Sequence, residues 1–125
     1  MAKTVLMVED NDLVVRVYET VLSSLGHRPV HVRTGAEASS AARENHPDLV
    51  IMDIRLPDGS GLDVIRGLKA EPDLASIPII VVSTRVAMGD ESRLAQLGCA
   101  GFVAKPIDVA KFIAMVQSVL GQDKA

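Results

Sequence analysis

Between Asp48 and Asp53 stand Leu49, Val50, Ile51 and Met52, an apolar run closed by a carboxylate at each end. A run this short and this continuous suits a strand buried on both faces, as at the centre of a parallel sheet. Asp53 falls where such a strand must leave the core. In an open α/β sheet, ligands bind outside the carboxyl ends of the strands, so Asp53 is placed to meet one. Alone, an aspartate there does no more than solvate a strand end. Its meaning depends on what the other strands carry.

Four further runs read as strands: Thr4–Val8, Arg28–Val32 (less apolar, hence nearer a sheet edge), Pro78–Ser83 and Gly101–Ala104. Helical patterns separate them. From Leu13 to Leu25, Val14, Val17, Tyr18, Val21, Leu22 and Leu25 fall on one stripe, with Asn11 or Asp12 as cap and Gly26 at the end. An Ala-rich helix runs from Thr34-Gly35 to about Asn45 and stops before Pro47. Leu62–Ala70 is a third helix, with Leu62, Ile65 and Leu68 on its apolar side. Asp90–Leu97 is a fourth, with a weak apolar face. Asp108 caps a last helix in which Val109, Phe112, Ile113, Val116 and Leu120 recur at helical spacing. Strand and helix thus alternate five times, which predicts an α/β fold: a doubly wound, five-stranded parallel sheet covered on both faces.

The 125 residues make one domain, expected to span 1–125 with no output domain after it. The net charge is −3 and no Lys/Arg cluster stands out, which argues against nucleic acid as a partner. Aromatic residues, at 2%, offer no stacking platform for bases. The single cysteine, Cys99, cannot form an internal disulfide and suits a reducing, cytoplasmic setting. No run is long and apolar enough to insert into a membrane.

The chemistry gathers at the strand ends. The first strand is followed by Glu9-Asp10-Asn11-Asp12, the third ends in Asp53, the fourth in Ser83 and Thr84, and the fifth is followed by Lys105-Pro106. The topology brings all of these to one edge of the sheet. Carboxylates converging there repel unless a cation screens them, and hard oxygen ligands suit Mg²⁺. The expected metal ligands are Glu9, Asp10, Asp53 and the backbone carbonyl of Arg55. Lys105 and the Ser83 hydroxyl then flank a nucleophilic carboxylate and can stabilise a phosphoryl group in transfer. The pattern therefore points to an aspartyl phosphate on Asp53. Each residue also has a plainer reading: Ser83 as a helix N-cap, Lys105 as a solvated lysine, and Glu9 and Asp10 as a cap and loop. The Lys105-Pro106 peptide is open to the cis form. His27, His31 and His46 show no metal-ligand spacing.

Taken together, these residues resemble the response-regulator receiver domain, of the single-domain CheY-like type. The resemblance covers essentially the whole chain. It rests on Val5-Leu6-Met7-Val8-Glu9-Asp10-Asn11, Pro47-Asp48-Leu49-Val50-Ile51-Met52-Asp53, Leu56-Pro57-Asp58-Gly59-Ser60-Gly61-Leu62, Pro78-Ile79-Ile80-Val81-Val82-Ser83 and Gly101-Phe102-Val103-Ala104-Lys105-Pro106. Met88-Gly89-Asp90-Glu91 and Gly98-Cys99 look more like the DivK-like members. The resemblance implies the flavodoxin-like strand order 2-1-3-4-5. It implies Mg²⁺-dependent phosphorylation of Asp53 by a sensor histidine kinase or histidine phosphotransfer protein, as one step of a two-component or phosphorelay system. A switch follows in which Ser83 moves toward the phosphoryl group and Phe102 changes rotamer. The fourth helix, fifth strand and last helix then form the face that a downstream protein reads. The resemblance also implies a signalling protein rather than a turnover enzyme on an external substrate.

This sequence departs from the family pattern at Thr84, where a smaller alanine is frequent, and at Phe102, where tyrosine is frequent. The first narrows access to the site, and the second favours an inward ring without phosphorylation. Arg55 and Arg85 flank the site and bear on the lifetime of the phosphoryl group. The alternative is a receiver-fold adaptor that binds proteins without phosphorylation. An aspartate-dependent phosphatase is disfavoured because Arg55 stands two residues after Asp53, where the haloacid-dehalogenase phosphatases have a second aspartate. A nucleotide or flavin binder is disfavoured because the acidic loop after the first strand would repel phosphate.

Overall fold

The strands of the main sheet are short, and every one runs parallel to its neighbours. A computed structural model describes residues 2–84 and 95–121. Its elements are β1 (Thr4–Val8), α1 (Asp12–Ser24), β2 (Arg28–Val32), α2 (Gly35–Asn45), β3 (Leu49–Asp53), β4 (Arg55–Leu56), β5 (Gly59–Ser60), α3 (Gly61–Ala70), β6 (Ile79–Thr84), β7 (Gly101–Lys105) and α4 (Val109–Leu120). The main sheet has the order β2-β1-β3-β6-β7, as the resemblance implies, and β4 and β5 form a separate two-stranded ladder. That ladder lies in the stretch Ile54–Gly61, which the turn-forming residues predict as a loop.

Successive residues of a strand face opposite sides, and the core divides accordingly. Leu6, Val8, Val50, Met52, Ile79 and Val81 meet Ala38, Ala41 and Ala42 of α2 and Ile65 and Leu68 of α3. Val5, Met7, Leu49, Ile51, Ile80 and Val82 meet Val15, Tyr18, Val21 and Leu22 of α1 and Phe112 and Val116 of α4. All five residues of β3 are buried, as expected of a central strand, and none of β2 is, as expected of an edge. The alanines of α2 let that helix lie close to the sheet.

Two apolar stripes differ from expectation. In α1 the buried residues are Val15, Tyr18, Val21 and Leu22, whereas Val17 is partly solvent-facing. The Val14-Val15-Arg16-Val17 run fits more than one helical phase, and packing against the sheet selects Val15. In α4, Phe112 and Val116 are buried, whereas Val109, the first residue of the helix, is exposed. The caps agree with the sequence: Asn11 accepts from the backbone N–H of Leu13 and Val14, and Asp108 from that of Lys111. The expected helix Asp90–Leu97 falls largely outside the described residues, as do Arg85 and Met88-Gly89-Asp90-Glu91.

Register fixes where each strand ends. Val8 lies beside Met52, Asp53 beside Val82, and Thr84 beside Lys105. Glu9, Asp10, Asp53, Ser83, Thr84 and Lys105 therefore share the carboxyl edge of the sheet.

Candidate functional site

The centre of that edge is an ammonium between two buried carboxylates. Lys105 Nζ donates to Glu9 Oε1 at 2.8 Å and to Asp53 Oδ2 at 2.9 Å. The Glu9 and Asp53 side chains are 1% and 6% exposed and that of Lys105 only 19%, so the solvated-lysine reading fails. Lys105 reaches the site from the last residue of β7, and its bond to Pro106 is cis. Burial works to lower the lysine pKa, but the hydrogen bonds to Asp53 and Glu9 and the negative charges of both acids together outweigh it and hold the ammonium above its ordinary range. Glu9 moves the other way for a carboxylate. Burial raises its pKa, the bonds from Lys105 and the Asn11 N–H oppose this, and the nearby Asp53 adds to the rise. One cation serves two buried acids, so the pair of carboxylates is only partly compensated.

A third acid completes the group. Glu9, Asp10 and Asp53 each place a carboxylate oxygen within 4.8 Å of the others, and Asp10 is only partly buried. Hard oxygens, excess negative charge and an open side fit a divalent cation that keeps several waters, the coordination habit of Mg²⁺. The second Glu9 oxygen is already engaged: Oε2 accepts from the backbone N–H of Asp10 and Asn11 at 3.1 Å each. Asp53 Oδ1 accepts from the Arg55 N–H at 3.1 Å, which draws the following turn back over the strand end, while the Arg55 side chain is exposed.

Ser83 is buried within β6 and does not cap a described helix. Phe102 is partly buried in β7 and packs against the α2/α3 side of the core. Cys99 is half-buried, and burial raises its thiol pKa.

Gly61 shows how tightly the chain folds behind Asp53. A Cβ there would stand 2.0 Å from the Asp53 carbonyl oxygen, and the Gly61 N–H donates to the Ile54 carbonyl at 2.6 Å. Only glycine allows α3 to start so close to the strand it follows.

Comparison with known proteins agrees with this geometry. The family model for the response regulator receiver domain matches residues 5–117. The chain belongs to that family. DivK, the polar-differentiation response regulator of Brucella ovis, is 43% identical to this receiver over 121 residues, covering 97% of this chain and 98% of that one. The receiver domain of the sensor histidine kinase PA1611 from Pseudomonas aeruginosa is 31% identical and superposes with a TM-score of 0.85, covering 97% of this chain and 99% of its own. That structure holds a magnesium ion in its active-site cleft. The chemotaxis response regulator CheY4 of Vibrio cholerae, at 21% identity and a TM-score of 0.87, covering 96% of this chain and all of that one (100%), shares the fold. The protein is thus a CheY-like receiver of two-component signalling, with an acidic cluster compatible with Mg²⁺. Among the described residues, no helix is long and apolar enough to cross a membrane.

Several side chains around the site leave no local mark in the sequence. His31 and Arg33, at the end of the edge strand β2, contact the acidic loop. Asp58 contacts the start of α2. The buried Tyr18 hydroxyl finds no hydrogen-bond partner among the described residues. Burial raises the Tyr18 pKa, and the negative charges of Glu9 and Asp53 add to it. Only the tyrosine's polar tip in an otherwise apolar stripe could have drawn attention.

Proposed function

We propose that this receiver accepts a phosphoryl group on Asp53 and signals by changing which proteins it binds. The observation that carries the reading is the Lys105 ammonium bonded at once to Asp53 and Glu9, on a carboxylate cluster at the sheet edge. Glu9, Asp10, Asp53 and the Arg55 carbonyl are the residues that would hold Mg²⁺. The ion would neutralise charge on the transferring group.

An Asp53 carboxylate oxygen attacks phosphorus, and the new O–P bond forms as the bond from phosphorus to the donor breaks. The donor's leaving atom keeps the electron pair and takes up a proton: an imidazole nitrogen if the donor is a phosphohistidine. The leaving group departs on the side of the site away from β3. Lys105 is positioned to follow the charge from the carboxylate to the phosphoryl oxygens, since its ammonium already touches Asp53. The Ser83 hydroxyl then turns to the phosphoryl group, and Phe102 in β7 responds. The phosphoryl donor is a sensor histidine kinase or a histidine phosphotransfer protein. The reader is a downstream protein at the face to which β7 and α4 contribute; the expected fourth helix of that face lies largely outside the described residues. The protein turns over no external substrate and works as a cytoplasmic signalling element, with residues 1–125 forming one receiver domain.

Intact mass after incubation with acetyl phosphate tests this. A gain of one phosphoryl group that needs Mg²⁺ and is absent in Asp53→Asn supports the proposal. No gain in folded protein with Mg²⁺ present overturns it. The partly buried Phe102 favours the second reading in that case, an adaptor that binds partners without phosphorylation.

A further inference from the structure

Coordinating a small cation demands that its ligand oxygens be set within fractions of an ångström. The loop that supplies Glu9 and Asp10 ties the Glu9 carboxylate to its own N–H groups, but those bonds leave the carbonyls of both acids to be held from elsewhere. It contains neither Gly nor Pro, and three of its four residues are acids that repel one another. That further restraint comes from the side of β2, the edge strand alongside.

Three contacts join the two segments. The Glu9 N–H donates to the Val32 carbonyl at 3.1 Å, extending the β1–β2 ladder by one residue. His31 Nε2 lies 2.6 Å from the Glu9 carbonyl oxygen. A carbonyl only accepts, so Nε2 carries the hydrogen and donates. Arg33 then spans the rest of the loop: one guanidinium nitrogen donates to the Asp10 carbonyl at 2.9 Å, and the other to the Asp12 carboxylate. The backbones of both acids are thus held from one side, by the side chain of His31 in β2 and that of Arg33 just past the end of β2.

The Arg33–Asp12 pair is largely solvent-exposed, with the two side chains 53% and 75% accessible. Exposed pairs of this kind contribute little to stability. What a planar guanidinium offers instead is two donors in a fixed fork, which sets direction as well as distance.

We infer that His31 and Arg33 are positioning residues for the divalent cation. They fix the Glu9 and Asp10 backbone so that the carboxylates converge with Asp53. The inference rests on the Mg²⁺-dependent reading proposed above.

Mg²⁺ titration by calorimetry tests it, with wild type, His31→Leu, His31→Gln, Arg33→Gln and Arg33→Lys, and with Asp10→Asn as the ligand control. Groups that orient metal ligands are worth about tenfold or more in affinity. His31→Leu and Arg33→Gln are therefore expected to weaken Mg²⁺ binding about tenfold while circular dichroism shows the fold intact. His31→Gln restores most of the loss, because its amide can donate to the same carbonyl. Arg33→Lys restores less than full affinity, because an ammonium lacks the fork. The Mg²⁺ concentration needed for half-maximal phosphoryl uptake shifts in parallel.

Wild-type affinity in both His31→Leu and Arg33→Gln overturns the inference, as does His31→Gln no better than His31→Leu. If His31→Leu fails to fold, the surface variants of Arg33 decide alone. Wild type that binds no Mg²⁺ overturns the proposed function together with this inference. Wild type that binds, beside variants that bind equally well, overturns this inference alone.

Discussion

Asp58 caps a helix to which it does not belong: its Oδ1 accepts from the Gly35 N–H at 2.9 Å, and its Oδ2 accepts from Ala36 at the same distance. Thr34, the residue in the cap position of α2, makes no side-chain cap bond of its own. The turn between β4 and β5, a few residues past Asp53, is thereby tied to the start of α2 on the neighbouring crossover.

Asp58→Ala is expected to lower the melting temperature by a few degrees at neutral pH, the usual consequence of losing a cap. The sign of the pH dependence follows from the carboxyl. The two backbone N–H groups hold its pKa below the ordinary 3.8. The cap's contribution is therefore complete above that pH and is lost as pH falls through the lower native value. Denaturation of wild type and Asp58→Ala across that window checks this: the gap between them should close only on the acid side.

Removing the Lys105 ammonium leaves Glu9 and Asp53 buried without a counter-charge. Lys105→Met is expected to destabilise the fold by about 3 kcal/mol in the presence of a chelator, in the range for breaking buried pairs. Adding Mg²⁺ should raise its melting temperature more than that of wild type. Denaturant melts with EDTA and with Mg²⁺ measure both quantities.

The Tyr18 ring stacks on Phe112, with centroids 5.1 Å apart and planes at 27°. Its buried hydroxyl has lost water and gained no protein partner among the described residues. Tyr18→Phe keeps the stack and removes the polar atom. It should stabilise the fold by about 1 kcal/mol, read from the denaturation midpoint at unchanged m-value.

Gly61→Ala would drive a methyl into the Asp53 carbonyl and the Ile54 backbone. Neither can yield without moving the end of β3. A loss of about 3 kcal/mol is expected, together with slowed phosphoryl uptake even in the fraction that remains folded. Stability by melting and uptake by intact mass separate the two effects.

The sheet and most of the site were legible because their signals are local. Leu49–Met52 is apolar without interruption, and the sheet buries it on both faces. Parallel topology carries every strand end to the same edge, so Glu9, Asp10, Asp53 and Lys105 could be gathered before any distance was known. The phase of α1 was not legible, because Val14, Val15 and Val17 offer competing stripes and only contact with the sheet chooses Val15. The roles of Asp58, His31 and Arg33 were hidden for a different reason. Each acts on backbone groups some twenty residues away in sequence, and a backbone acceptor or donor carries no mark of residue type.

The two bonds of the Lys105 ammonium span sequence separations of 96 and 52 residues. The first strand, the central strand and the last one must all be in place before the cluster receives its cation. A nascent chain that has made β1 and β3 has gathered the three carboxylates of Glu9, Asp10 and Asp53 without the ammonium that Lys105 brings. Detachment of β7 from the sheet edge, even with the rest of the fold intact, returns it to that condition. On the proposed function, a copy in which β7 is not seated keeps its carboxylates but lacks the ammonium that would follow charge onto the phosphoryl group, so completion of the sheet sets its competence as an acceptor.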